Sequence, residues 1–400
     1  MRTGPAGRVS PLRSWGTVIV AMASSIAVVS GILWGYSPPP AHKPTATVES
    51  LRDQPPCLNI GMATNADWDV FSSEDYDLAT ETTRDLGMGR LRINANWSEV
   101  ESNPGRYDWT ALDMRMRHAL DAGLTPLLLV HSVPDWQQVP GPGQITDAHR
   151  QFAANYARFA GAVADRYGDD VDGYEIWNEP NLPRFWPDPD VSHYVELIKA
   201  AYPAIHAADP TATVISAGLA PADDLRGRIE PVRFLTAFYD LGGNQYADAI
   251  GMHPYSHPEM PSHDASWNTF GKLDAIVELM RRNGDGDKKI WLTEYGAPTR
   301  PEAADRTVPV EKQAAMIAES YELATAHPAI GPIFIYTLID NAESSNDPES
   351  HFGIYHWDQT PKPAAAAIQE AIRDCVDTGG GSVANPVPEL GDQPALGSVS

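Results

Sequence analysis

Between Cys57 and Cys375, short apolar runs rich in β-branched residues alternate with longer stretches whose apolar residues recur at helical spacing. Eight runs read as strands: Leu58–Met62, Gly89–Ile93, Thr125–Val130, Gly173–Trp177, Thr213–Ser216, Ala249–Met252, Ile290–Thr293 and Ile333–Thr337. The intervening stretches read as helices, among them Ser72–Leu86, Trp109–Ala122, Asp147–Tyr167, Trp267–Arg282, Val310–Ala326 and Pro363–Arg373, several opened by Ser, Thr or Asp suited to capping. Strict strand–helix alternation predicts a parallel sheet covered by helices. An open doubly wound sheet usually carries a Gly-rich phosphate turn after an early strand, and none follows Met62 or Ile93. The prediction is therefore an α/β protein with a single (β/α)8 TIM barrel over residues 57–375.

The pattern changes at both ends. Arg2, Arg8 and Arg13 mark a basic segment, residues 1–14, followed by a stretch without charge from Trp15 to Ala41. Its apolar centre is long enough to cross a bilayer, so residues 15–36 are expected to anchor the chain in the cytoplasmic membrane, with the arginines inside and the remainder extracytoplasmic. A cleaved signal peptide, giving a secreted protein, is the competing reading. Residues 37–56 read as a Pro-rich linker, and residues 376–400, rich in Gly, Pro and Ser, as a disordered tail.

Net charge is −24 and no basic block follows residue 13, which argues against nucleic acid as a partner. The two cysteines bracket the predicted barrel. Closure would bring them together, and in an oxidising compartment Cys57 and Cys375 can pair, a constraint worth at most about 5 kcal/mol; two unrelated thiols are the alternative.

Polar and acidic residues cluster at the C-terminal ends of the predicted strands, where a barrel of this kind builds its site: Arg92, His131, Asn178, Glu179, His253, Tyr255 and Glu294. Two glutamates on opposite walls suit glycosidic cleavage, in which one carboxyl protonates the leaving oxygen and the other stabilises or captures an oxocarbenium-like carbon. Strand four reads Tyr174-Glu175-Ile176-Trp177-Asn178-Glu179-Pro180, and strand seven reads Ile290-Trp291-Leu292-Thr293-Glu294-Tyr295-Gly296. With these strings the chain resembles the retaining glycoside hydrolases of clan A from about Asn59 to Ile372. The strings Arg92-Ile93-Asn94-Ala95-Asn96-Trp97, Pro104-Gly105-Arg106-Tyr107-Asp108-Trp109 and Val133-Pro134-Asp135-Trp136 look like families 39 and 5, some of whose members cut exopolysaccharide or hemicellulose.

The resemblance implies Glu294 as nucleophile, Glu179 as acid/base, Asn178 on the sugar hydroxyl beside the anomeric carbon, and a residue of His253-Pro254-Tyr255 on the nucleophile. Arg92 is the natural cation to keep Glu294 ionised. His131 is a candidate sugar contact or a structural histidine. His253 with His257 and His263 offers a rival metal reading, although the spacing fits no standard zinc pattern and no metal is expected. Trp97, Trp136, Trp186 and Trp357 are candidate stacking platforms, with Trp186 preferred because its loop follows Glu179. Tyr336 stands where many clan relatives have a tryptophan ending strand eight. No cofactor is implied, and a monomer acting on an oligo- or polysaccharide is expected. Transglycosylation on the same residues, or carbohydrate binding by a silent barrel, are the alternatives.

Overall fold

The computed structural model describes residues 56–65, 68–300 and 306–378. The expected membrane segment at 15–36, the linker up to residue 55 and the tail beyond residue 378 lie outside them. Among the described residues no helix is long and apolar enough to cross a membrane.

Eight strands run parallel: β1 (Ile60–Ala63), β2 (Arg90–Asn96), β3 (Thr125–His131), β4 (Gly173–Asn178), β5 (Val214–Gly218), β6 (Ile250–Met252), β7 (Ile290–Tyr295) and β8 (Ile330–Ile335). Their order is β5-β4-β3-β2-β1-β8-β7-β6. The ring closes where β5 meets β6 through bridges Ile215 to Ala249 and Leu219 to Met252, with Ser216 N–H donating to the Ala249 carbonyl at 3.0 Å. A helix follows each strand: α1 (Ser73–Asp85), α2 (Thr110–Asp121), α3 (Asp147–Tyr167), α4 (Val191–Ala208), α5 (Pro231–Asp240), α6 (Leu273–Arg282), α7 (Val310–Ala326) and α8 (Pro363–Asp377). Polar side chains start several of them: Ser72 accepts from Asp75 N–H, Asp190 from Ser192 N–H and Glu230 from Arg233 N–H.

Strand alternation divides the core in two. Outward residues such as Met62, Ile93, Leu128, Ile176, Val214 and Leu292 pack under the helices. Inward ones form a separate apolar layer of Ala63, Leu127, Ile215, Ala249, Trp291 and Phe334. That layer plugs the barrel, so the chemistry lies above it, at the C-terminal mouth.

Several predicted boundaries move by a few residues, and two of the shifts have a clear local cause. β8 begins at Ile330, because Ile330 pairs with Ile290, and Gly331 and Pro332 are absorbed where the β7–β8 register shifts. α6 begins at Leu273, not Trp267, because the Asn268 amide donates to the carbonyls of Pro261 and His263 and ties the preceding segment into a loop.

Cys57 and Cys375 form a disulfide with Cα atoms 5.6 Å apart across 318 residues of sequence. It joins the entry to β1 with the end of α8, where the Tyr321 hydroxyl also donates to the Cys57 carbonyl. Replacing both cysteines by serine is expected to lower Tm by about 5–10 °C, as a large loop regains its freedom in the unfolded chain. Thermal unfolding of the two forms at equal pH checks this; equal Tm values would mean the bridge carries no stability.

Candidate active site

Arg92, fully buried on β2, holds the mouth together. Its Nε donates to Glu175 Oε2 at 2.6 Å, Nη1 to Glu294 Oε1 at 2.7 Å and Nη2 to Asn178 Oδ1 at 2.9 Å. One planar guanidinium thus orients side chains from β4 and β7. Glu175 had not been singled out from the sequence, yet it is the second anchor: its Oε1 accepts from Gly218 N–H at 2.9 Å and Thr293 Oγ1 at 2.8 Å. Burial alone would raise the Glu175 carboxyl; Arg92 and His253 outweigh it and hold it down to about 2.

His253, just past β6, spans the site. Its Nε2 lies 3.1 Å from Thr293 Oγ1 and its Nδ1 2.8 Å from Glu179 Oε1 and 3.5 Å from Glu294 Oε2. Thr293 spends its proton on Glu175, so its oxygen accepts from Nε2–H. Burial opposes charge on this ring, but Glu294, Glu175 and Glu179 together lift its pKa to about 9. The ring is therefore a cation at neutral pH and donates from Nδ1 also. Glu179 moves the other way. Burial raises its carboxyl, the charge of Glu294 adds to the rise, and His253 and Arg92 only partly oppose it. Its backbone sits at φ 45°, a left-handed turn directly after β4.

Glu294, next to last in β7, has both oxygens engaged, Oε1 by Arg92 and Oε2 by the Tyr255 hydroxyl at 2.7 Å. One oxygen of Glu179, one of Glu294 and a ring nitrogen of His253 lie within 4.8 Å of one another. Those atoms could in principle share a cation, but Glu294 already has a donor on each oxygen, and Arg92 and protonated His253 supply the positive charge. The donor set fits a carboxylate pair and not a metal. The rival trio of histidines is not assembled: His257 Nδ1 meets the Arg306 carbonyl at 3.1 Å, and the His263 ring lies beside Trp267.

His131 ends β3 with Nε2 buried and without a hydrogen-bond partner. Burial, aided by the charge of Arg92, brings its ring down to about 4, so it is neutral at pH 7. Tyr336 follows β8, half-buried against Phe352. Burial followed by the charges of Glu294, Glu349 and Glu179 raises its hydroxyl pKa. Glu349, also unforeseen, is pushed up by burial; Arg184 opposes this, and the charges of Glu179 and Glu294 reach it. Its short helical turn in the long β8–α8 loop carries no signal at sequence level.

The tryptophan expectations are largely corrected. Trp186 is buried, boxed edge-on by Trp177 and Phe152, and has no free face for a sugar. Trp97 is core. Trp136 is half-buried against it, its indole donating to the Glu101 carbonyl at 2.7 Å. Trp357 is exposed but lines a different cavity.

A family model described as Cellulase (glycosyl hydrolase family 5) matches residues 58–327. The chain belongs to this family. This family 5 chain has no match among curated proteins. Solved structures share its fold: a family 39 glycoside hydrolase from the gut symbiont Bacteroides cellulosilyticus WH2 (23% identity, TM-score 0.60, 79% of this chain and 63% of that one). Others are xylanase 10B from Thermotoga petrophila RKU-1 in complex with xylobiose (16%, 0.57, 84% and 100%) and a GH5_18 protein from Bifidobacterium longum in complex with Manb1-4GlcNAc (16%, 0.60, 79% and 78%). The chain thus spans under two thirds of the length of the first of these. By family and by fold the chain thus groups with the glycoside hydrolases of clan A.

Gly218 makes the His253 position possible. A Cβ there would fall 2.1 Å from His253 Nε2 and 2.6 Å from Thr293 Oγ1. Gly218→Ala is expected to cost about 1–3 kcal/mol in denaturant unfolding, because the ring or strand must move. Wild-type stability in that variant would show the His253 placement to be adaptable.

Proposed function

We propose that this hydrolase cleaves O-glycosidic bonds of a polysaccharide by double displacement, with Glu294 as nucleophile and Glu179 as acid/base. The observation that carries the reading is that an oxygen of Glu179 and an oxygen of Glu294 lie within 4.8 Å of each other across the mouth, a close approach that suits the near pair of carboxyls in a retaining mechanism. In the first step Glu294 attacks the anomeric carbon while Glu179 gives its proton to the departing oxygen. In the second, Glu179, now a carboxylate, takes a proton from water, which displaces Glu294. Burial raises the Glu179 carboxyl and the charge on Glu294 adds to the rise; that charge vanishes in the glycosyl-enzyme, so the Glu179 pKa falls when the second step needs a base.

Asn178, held by Arg92, presents its amide to the hydroxyl next to the anomeric carbon, and His131 and Tyr336 contact the same sugar. An extracytoplasmic site, with an anchor at residues 15–36, belongs to this proposal. What supports it is the disulfide, which oxidising compartments permit, and the uncharged run from Trp15 to Ala41.

Aryl glycosides and surface polysaccharides provide the test. Glu179→Gln is expected to lower kcat by about 10²–10⁴-fold, least on the best leaving groups, and Glu294→Gln by at least about 10⁴-fold. NMR should find the anomeric configuration retained. Because the first step needs protonated Glu179, kcat/KM should fall on the alkaline side, through a pKa above the ordinary 4.5. His253 lowers that pKa, so His253→Gln should move the limb upward. Inverted product, or activity that survives Glu294→Gln, would remove the assignment.

A further inference from the structure

Beside the catalytic mouth, a cavity of about 350 Å³ opens between α1 and the chain that follows β8. Trp68 and Phe71 of the β1–α1 loop, Leu78 of α1 and Trp357 of the β8–α8 loop give it an apolar wall, with Asp75 and Gln359 as polar lining. None of Arg92, Glu179 and Glu294 lines it. It nevertheless lies at the same end of the barrel, since both of its loops leave the C-terminal ends of their strands. The hydrogen bond from Asn65 Nδ2 to Asn341 Oδ1 (2.7 Å) joins the two rims.

Trp357 is 54% exposed and Leu78 49%, so two large apolar side chains meet solvent within one concavity. Trp68 and Phe71 stack with centroids 5.5 Å apart, and the Trp68 indole N–H is buried with no hydrogen-bond partner. The loop carrying Trp357 is pinned from below: buried Lys362 donates to Asp340 Oδ1 at 2.7 Å and to Thr299 Oγ1 at 2.9 Å. The wall is therefore preformed, which spares a ligand the entropy of ordering it.

A pyranose ring has C–H faces and a rim of hydroxyls. Aromatic faces match the first and carboxylate or amide groups the second. Asp75 and a net charge of −24 disfavour an anionic sugar. We propose that this groove is a second carbohydrate site, separate from the catalytic cleft, in which Trp357 and Phe71 stack on a neutral pyranose of a polysaccharide chain. The groove holds polymer against the catalytic face and raises the local concentration of cleavable bonds. The inference rests on the glycosidase reading of the mouth.

Nitrogen-15 labelling at tryptophan in the full chain, with Trp357→Ala to assign its indole signal, tests the site. Cellohexaose, xylohexaose and mannohexaose are titrated into the Glu294→Gln chain, which leaves them intact. At least one is expected to shift the Trp357 signal saturably, and its affinity by calorimetry should fall about tenfold when Trp357→Ala is added, with Tm unchanged. No shift with any of the three overturns the proposal. So does a signal that moves with protein concentration alone, which would mean that a second copy covers the groove. Cleavage of the same oligosaccharides by the wild-type chain is scored separately. Cleavage without a Trp357 shift removes the groove alone, and a shift without cleavage removes the catalytic reading alone.

Discussion

The guanidinium of Arg92 is the constraint on which the mouth of the barrel depends. Buried above an apolar plug, it is shut off from bulk solvent, and each of its three nitrogens donates to a protein acceptor. Those acceptors are Glu175 and Asn178 of β4 and Glu294 of β7. Because the fork is planar and rigid, it fixes two walls of the cleft relative to each other, and with them the gap that separates Glu294 from Glu179. His253 completes the frame through Thr293, which hands the hydrogen-bond chain back to Glu175. Removing one member would leave a charge unpaired in a dry site, a change felt by all the others.

The same network sets the protonation pattern. Glu175, beside Arg92, is kept ionised, whereas Glu179, without a direct contact to Arg92, is pushed up by burial. Two glutamates four residues apart in one sequence string are thereby driven in opposite directions by their surroundings. His253, as a cation touching Glu179 and near Glu294, balances the excess of negative charge. The surroundings thus favour one distribution of protons across the mouth.

Much of this was legible in the sequence. The barrel could be read because short apolar runs rich in β-branched residues and helical stretches alternate eight times, and the strand-end rule marked Arg92, Asn178, Glu179, His253, Tyr255 and Glu294, which the fold brings together. Glu175 escapes the strand-end rule because it lies inside β4. The available signal was a glutamate inside a strand too apolar to face water, which needs a buried cation. Gly218 was invisible, since the close approach of His253 is a tertiary fact. Trp186 misled because its Pro-flanked segment lacks helical spacing and reads as an open loop. In the fold, the Trp186 N–H bonds back to the Leu182 carbonyl and the turn tucks the ring under Trp177. Trp357, exposed as expected, faces a groove that no local pattern discloses.

The central claim is that Glu294 becomes covalently bonded to sugar. Dinitrophenyl 2-deoxy-2-fluoroglycosides of several pyranoses slow the second step more than the first, so the glycosyl-enzyme accumulates and can be weighed. The account predicts that intact-protein mass spectrometry finds one fluorosugar per chain, mapped by peptide digestion to Glu294. An adduct on Glu179, or turnover of these reagents with no adduct at any time, would contradict it.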